Sequence, residues 1–260
     1  MSEFFLELFS EEIPAGLQKN LREKIFEDFK NLFEEKSIRS KKNFSFSTPN
    51  RLVLVFEGLD KQIKIKSKEI RGPKTSAPEQ ALEGFLRSNK INKRDLFKKK
   101  TEKDEFYFYK TVATSLKTHD LLTEFIPKIL SNYQWKKSMK WGEFDLNWGR
   151  PLKSILSIFD KKIVSFKFHH LASSNLTFLD KDFEEKKRSF ENFKKYEKFF
   201  EDNGVIINQN KRLKIINKSF LKILGKKGLK INENPKLMDE VVNLVDSPNV
   251  LLCKFDKKFL

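Results

Sequence analysis

The chain has 260 residues, 38% hydrophobic and 34% charged, with 27 Phe, one Cys and a formal net charge of +17. This is enough for one large domain or two modest ones, each with its own core. The lone cysteine excludes an internal disulfide, no apolar run is long enough to span a bilayer, and the opening residues carry Glu3 and Glu7 rather than the basic start of a signal peptide, so no membrane association and a cytoplasmic location are expected. The basic balance suits a polyanionic partner, because Lys and Arg neutralise phosphates and release counterions. The lysine enrichment of an AT-rich genome, suggested by the abundant Phe, Asn and Ile, explains it equally well.

Phe4, Leu6 and Leu8 alternate with Phe5, Glu7 and Phe9, which predicts a strand. Pro14 then suits the first turn of a helix over 14–36, whose apolar face is Leu17, Leu21, Ile25, Phe29 and Leu32. Thr48-Pro49-Asn50 signals a turn into a strand over 51–56, and Ile63 and Ile65 alternating with Lys64 and Lys66 predict a third strand, which Arg71-Gly72-Pro73 is expected to break. A helix starts at Ser76-Ala77-Pro78-Glu79 and carries Ala81, Leu82, Phe85 and Leu86. A strand over 106–112 and an amphipathic helix over 121–130 follow. Residues 139–151, with Trp141, Gly142, Trp148 and Gly149, read as a loop before apolar runs at 155–159 and 163–168. From Asp182 onward the pattern is mainly helical. The expected class is α+β: a mixed sheet and helix region over 1–180, with an optional subdomain boundary near 67–75, then a mainly helical basic segment over 181–260. Cys253, in an alternating apolar stretch, is expected to be a core thiol.

Little in the chain has the spacing that chemistry needs. His119, His169 and His170 have no ligand-spaced Cys or carboxylate, and adjacent histidines on a strand point to opposite faces, so no metal site is expected. No phosphate-binding glycine loop occurs; Gly225-Lys226-Lys227-Gly228 reads as a helix end. No catalytic residue is assigned. Glu11 and Glu12 could be paired acids, but acids near a helix start have the simpler role of complementing its dipole. Trp141 and Trp148 could stack on bases or pack internally, and packing is the commoner fate. Residues 203–230 contain no acid, and at about 100° per residue Lys211, Lys214, Lys218 and Lys222 fall on one stripe opposite Leu213, Ile216, Phe220, Ile223 and Leu224. That row could track a phosphate backbone or be an ordinary solvated face. Earlier, Glu191 and Lys195 are spaced for an ion pair in a self-neutralising stretch.

Six segments, in order, resemble the beta subunit of bacterial two-subunit glycyl-tRNA synthetase. They are Phe4-Phe5-Leu6-Glu7-Leu8-Phe9-Ser10-Glu11-Glu12-Ile13-Pro14-Ala15; Thr48-Pro49-Asn50-Arg51-Leu52; Arg71-Gly72-Pro73; Ala77-Pro78-Glu79-Gln80-Ala81 with Gly84-Phe85; Ser138-Met139-Lys140-Trp141-Gly142 with Trp148-Gly149-Arg150-Pro151-Leu152; and Asp239-Glu240-Val241-Val242-Asn243-Leu244-Val245-Asp246-Ser247-Pro248. In that family the alpha subunit activates glycine with ATP and the beta subunit captures tRNA. The resemblance therefore implies an alpha-subunit partner, tRNA for glycine and a hetero-oligomer, with ATP and magnesium at the alpha subunit and no cofactor on this chain. One departure is that a Gly-His-x-Phe element of the family is replaced by Phe178-Leu179-Asp180-Lys181-Asp182-Phe183. Family members also continue through an HD-type helical domain and an anticodon-binding region, so a fragment or truncated gene is expected. The alternatives are a stand-alone RNA-binding module and a hydrolytic editing domain. Editing has less to do for glycine, because the smallest amino acid is already selected by the size of the synthetic pocket.

Overall fold

The computed structural model describes residues 2–65, 67–101, 104–180, 183–254, 256 and 258. In chain order the elements are β1 (Glu3–Ser10), α1 (Ala15–Glu35), β2 (Lys42–Thr48), β3 (Arg51–Glu57), β4 (Gln62–Ile65), β5 (Glu69–Lys74), α2 (Glu79–Asn89), β6 (Leu96–Lys100), β7 (Glu105–Lys110) and β8 (Thr114–Lys117). After these come α3 (Thr118–Asn132), β9 (Leu152–Phe159), β10 (Lys162–Ile163), β11 (Lys167–Phe168), β12 (Leu171–Ser174), β13 (Leu176–Asp180), β14 (Phe183–Ser189), α4 (Phe193–Asp202), α5 (Gln209–Lys227) and α6 (Pro235–Leu244). The class is α+β, as expected.

The chain forms two compact units. One is Gln62–Lys117, and the other joins the segments on either side of it. This differs from a division near 180, because α4 packs on the same sheet as β1 and β3. The main sheet of the larger unit runs β11-β12-β9-β1-β3-β2, with β10 also on β9. β12 is parallel to β9, while β1 is antiparallel to both β3 and β9.

Central β1 has an apolar run rather than a half-polar alternation because both of its faces are covered. Phe4 packs with Phe29 and Phe56 on the α1 side. Phe5 meets Phe193 and Tyr196 of α4 on the other, in a core completed by Val53, Val55, Leu156 and Phe200. Each fully buried Phe contributes about 1.5 to 3 kcal/mol relative to exposure, as do the buried Leu, Ile and Val residues around it.

Arg71-Gly72-Pro73 does not break a strand: it lies within β5, an edge strand whose register slips between Arg71 and Lys74, where a proline missing its N–H is tolerated. The helical stretch does not begin at Asp182, because Phe183–Ser189 pairs as β14 with β13. Residues 181 and 182 themselves lie outside the described ones. Cys253 is exposed, in a segment without regular structure, so its alternating neighbours do not make a core strand. Among the described residues no helix is long and apolar enough to cross a membrane.

Candidate nucleic-acid interface

The quoted motifs of the larger unit converge at one end of its sheet. Leaving β1, the Ser10 and Glu11 amides donate to Asn50 O and Pro151 O, both at 2.9 Å, and the Ile13 amide donates to Pro49 O at 2.7 Å. The Glu-Glu-Ile-Pro opening, the Thr-Pro-Asn-Arg turn and Arg150-Pro151 are thus stitched by backbone. Pro49 and Pro151 serve as acceptors, the one backbone role proline retains. Gln18 Nε2 ties in the last motif, donating to Ile13 O at 2.9 Å and Asn243 O at 2.7 Å. Pro14 stands at the N-cap of α1, and Glu11 pairs with Lys153 at 2.6 Å. The first turn of α1 holds no acid. Glu11 therefore acts as a clamp to β9, not as a partner of the helix dipole.

Beneath this end lies a buried ionic hub. Glu7 is fully buried, and Arg51 is 2% exposed with its Nε 3.5 Å from the Glu7 carboxylate. That distance is an ion pair rather than a hydrogen bond. The hydroxyls of Thr177 and Tyr196 donate to the two carboxylate oxygens. The Arg51 guanidinium donates onward to the carbonyls of Phe178 and Leu179 and lies between the rings of Phe9 and Phe200, 4.6 Å from each centroid. Burial pushes the Glu7 carboxyl up, opposed by Arg51 and the two hydroxyls, and burial pushes the Tyr196 phenol well up. Arg51, read from sequence as a motif position, is thus a pin joining β1, β3, β13 and α4. Glu7, the lone acid in an apolar run, was the signal for it. The Phe178-Leu179 element contributes backbone carbonyls to this hub, a role that requires neither the Gly nor the His of the family pattern.

The tryptophan loop is a packing device. Met139 and Trp148 bridge through paired backbone hydrogen bonds. Trp148 is 2% exposed, with its ring 5.0 Å from Trp135 and 5.7 Å from Phe168. A Cβ on Gly149 would lie 2.1 Å from the Trp135 ring, which explains the glycine. Gly142 takes φ +54°. Trp141 is half-buried against His170, whose ring stacks 3.7 Å from Phe144. His169 and His170 form the turn between β11 and β12, not a strand. Arg150 donates to Gly149 O at 2.9 Å.

In the smaller unit, Arg71 stacks its guanidinium 3.5 Å over the Phe106 ring. A Cβ on Gly72 would meet Phe85 at 2.9 Å, so the Arg-Gly-Pro and Gly-Phe motifs fit each other.

Helix α5 carries the basic row. Asn208 caps it and Gly228, at φ 62°, ends it. Ile216 is buried, while Lys211, Lys214, Lys218 and Lys222 are exposed. The four lysines differ. Lys211 bridges Glu197 at 2.9 Å and Glu201 at 2.7 Å on α4, and these hydrogen bonds raise its pKa. Lys214, Lys218 and Lys222 make no such ion pair among the described residues. Arg212, in the same basic stretch, faces inward at 0% exposure. It donates to the carbonyls of Ser47, Ile206, Ile207 and Val242, and burial lowers its pKa to about 10. Sequence reasoning did not separate it from the solvent-facing lysines, although at about 100° per residue Arg212 falls about 40° from Ile216, at the edge of the apolar face rather than on the lysine stripe. The pair Glu191–Lys195 forms at 3.0 Å.

Among the described residues no group of three metal-ligating side chains gathers. The sequence profile described as Glycyl-tRNA synthetase beta subunit matches residues 4–260. The glycine–tRNA ligase beta subunit of Rickettsia bellii (strain OSU 85-389) is 38% identical over 260 residues, and that of Rickettsia canadensis (strain McKiel) is 37% identical over the same length. The beta subunit of Rickettsia felis is 36% identical over 262 residues. Each match takes in 100% of this chain and 39% of the relative, so the chain spans about two fifths of the length of the curated relatives it matches. With the profile covering nearly every residue, this chain belongs to the glycyl-tRNA synthetase beta subunit family.

Proposed function

We propose that this chain holds tRNA for a glycine–tRNA ligase whose chemistry, activation of glycine with ATP and magnesium and transfer to tRNA, takes place on an alpha-subunit partner in the cytoplasm. The supporting observation is where the charge sits. Residues 203–230 carry eight Lys and Arg and no acid, and residues 62–117 carry fifteen against seven. Everything else has thirty against twenty-nine and is nearly neutral. A genomic lysine bias acts along the whole chain, so it does not explain charge confined to two places. In the first of these, Lys214, Lys218 and Lys222 form a row of exposed ammonium groups on a helix anchored by Arg212.

Such a row gives affinity for phosphates without reading sequence, which suits positioning of a tRNA whose identity is read elsewhere. The reading is tested by gel shift of a glycine tRNA transcript with the purified chain at low salt, alone and with the alpha subunit added. A retarded complex that gains the alpha subunit is expected. Absence of any tRNA complex would overturn it, and deacylation of mischarged tRNA by the chain alone would favour an editing domain instead.

A further inference from the structure

The smaller unit contains a surface that the α5 row does not explain. In its three-stranded sheet β7 lies between β5 and β6. The register pairs Phe97 with Phe108, Lys99 with Phe106 and Arg71 with Phe108, and strand alternation puts all five side chains on one face. Lys110, two residues beyond Phe108, shares that face.

This face is aromatic and basic together. Phe97 is 37% exposed. Its ring lies nearly parallel to that of Phe108, with centroids 6.0 Å apart and 26° between planes. Lys99 Nζ stands 5.7 Å over the Phe108 ring. Arg71 is exposed, with one face of its guanidinium stacked on Phe106. Lys99 also pairs with Glu69 at 2.9 Å, but both side chains are solvated, and such a surface pair is weak enough to exchange for a phosphate.

The net charge selects among ligands for such a face. Residues 62–117 have a net charge of +8, nearly half of the chain's +17 on about a fifth of its length. An apolar protein partner needs no such charge. A duplex offers phosphates but keeps its base faces stacked, so it could not use Phe97 and Phe108. A single strand offers both phosphates and open π-faces.

We propose that this face binds single-stranded RNA, with bases stacking on Phe97 and Phe108, the outer plane of Arg71 taking a further base, and Lys99 and Lys110 holding phosphates. The proposal rests on the RNA-handling reading above but concerns a different surface. Stacking explains the exposed Phe97, and Arg71 gains a role beyond packing against Phe106.

The test uses the full chain, a fluorescein-labelled oligouridylate of about ten nucleotides and an RNA duplex of similar charge. Leu keeps apolar bulk without a stacking plane, so the F97L/F108L variant should fold as the parent does by circular dichroism. It is expected to lose about 5- to 150-fold in oligouridylate affinity for each base unstacked, with duplex affinity and salt slope unchanged. F97W should keep binding, and its added indole fluorescence should be quenched by the oligomer. Parent-like affinity in F97L/F108L, an unquenched F97W, or equal binding of single strand and duplex would each overturn the proposal. The two readings fail separately. A K214Q/K218Q/K222Q variant that loses tRNA affinity, beside an F97L/F108L variant that loses nothing, sustains the α5 reading and overturns this one.

Discussion

Replacing Arg51 with Met should expose how much the larger unit depends on its buried hub. Glu7 is fully buried and Arg51 is the cation 3.5 Å from it. Removing one partner of a buried pair leaves an uncompensated charge and costs about 3 to 5 kcal/mol. In a unit of this size that lowers the melting midpoint by on the order of 10 °C. The sign of the pH dependence follows from Glu7. Its carboxyl is raised from the usual 4.5, chiefly by burial, so the folded chain binds this proton more tightly than the unfolded chain does. Stability from this group is therefore greatest in acid and falls as pH rises from 4.5 through the folded value. Arg51 opposes the shift, so its loss moves the folded value further up. The R51M deficit should be widest at alkaline pH and shrink on acidification. Urea unfolding of the parent, R51M, Glu7→Gln and the double variant, at mildly acidic and mildly alkaline pH, measures this. The double variant should recover part of the loss, because no charge is stranded. An R51M midpoint equal to the parent's in alkali, or single losses that simply add in the double variant, would refute the hub.

Trp148→Ala should cost about 3 to 5 kcal/mol in thermal or urea unfolding, because a buried ring is truncated; unchanged stability with weakened RNA binding would instead make it a stacking residue. Gly149→Ala should destabilise by about 1 to 3 kcal/mol, since its methyl would meet the Trp135 ring at 2.1 Å. Gly225→Ala in α5 has open space around it and should stabilise by roughly 0.5 to 1 kcal/mol; equal effects of the two would contradict the packing described. Glycine-dependent exchange of pyrophosphate with ATP by the chain alone should equal a no-enzyme control, and clear activity without an alpha subunit would place catalysis here.

The sequence made elements legible where one periodicity dominates. Helix α1 and strands β1 and β3 match their expected spans because continuous apolar rows leave little choice. Strand β2 was not anticipated: polar Asn43, Ser45 and Ser47 alternate with only two Phe residues, and only pairing with β3 makes it a strand. Strand β6, with three lysines in five residues, was hidden for the same reason. Pro73 misled because a proline is forbidden in a central strand but not at an edge, and edge position is a property of topology. In the candidate interface the lysine stripe was visible as angle, but its inner structure was not. Lys211 is held by acids of another helix and Arg212 by carbonyls from 30 or more residues away on either side, at Ser47 and Val242. Long-range partners of this kind leave no local pattern.

Salt titration of tRNA binding separates a phosphate-tracking lysine row from an ordinary solvated face. A glycine tRNA transcript would be bound by the parent and by K211Q/K214Q/K218Q/K222Q across about 50 to 200 mM salt. Because Lys211 is already engaged by Glu197 and Glu201, the variant should lose about three phosphate contacts. Each contact contributes about 0.7 to 0.9 to the slope of log affinity against log salt, so the slope should flatten by about 2 to 3 units while the fold persists. A quadruple variant that keeps both its affinity and its slope would contradict the account and leave the row an ordinary solvated face.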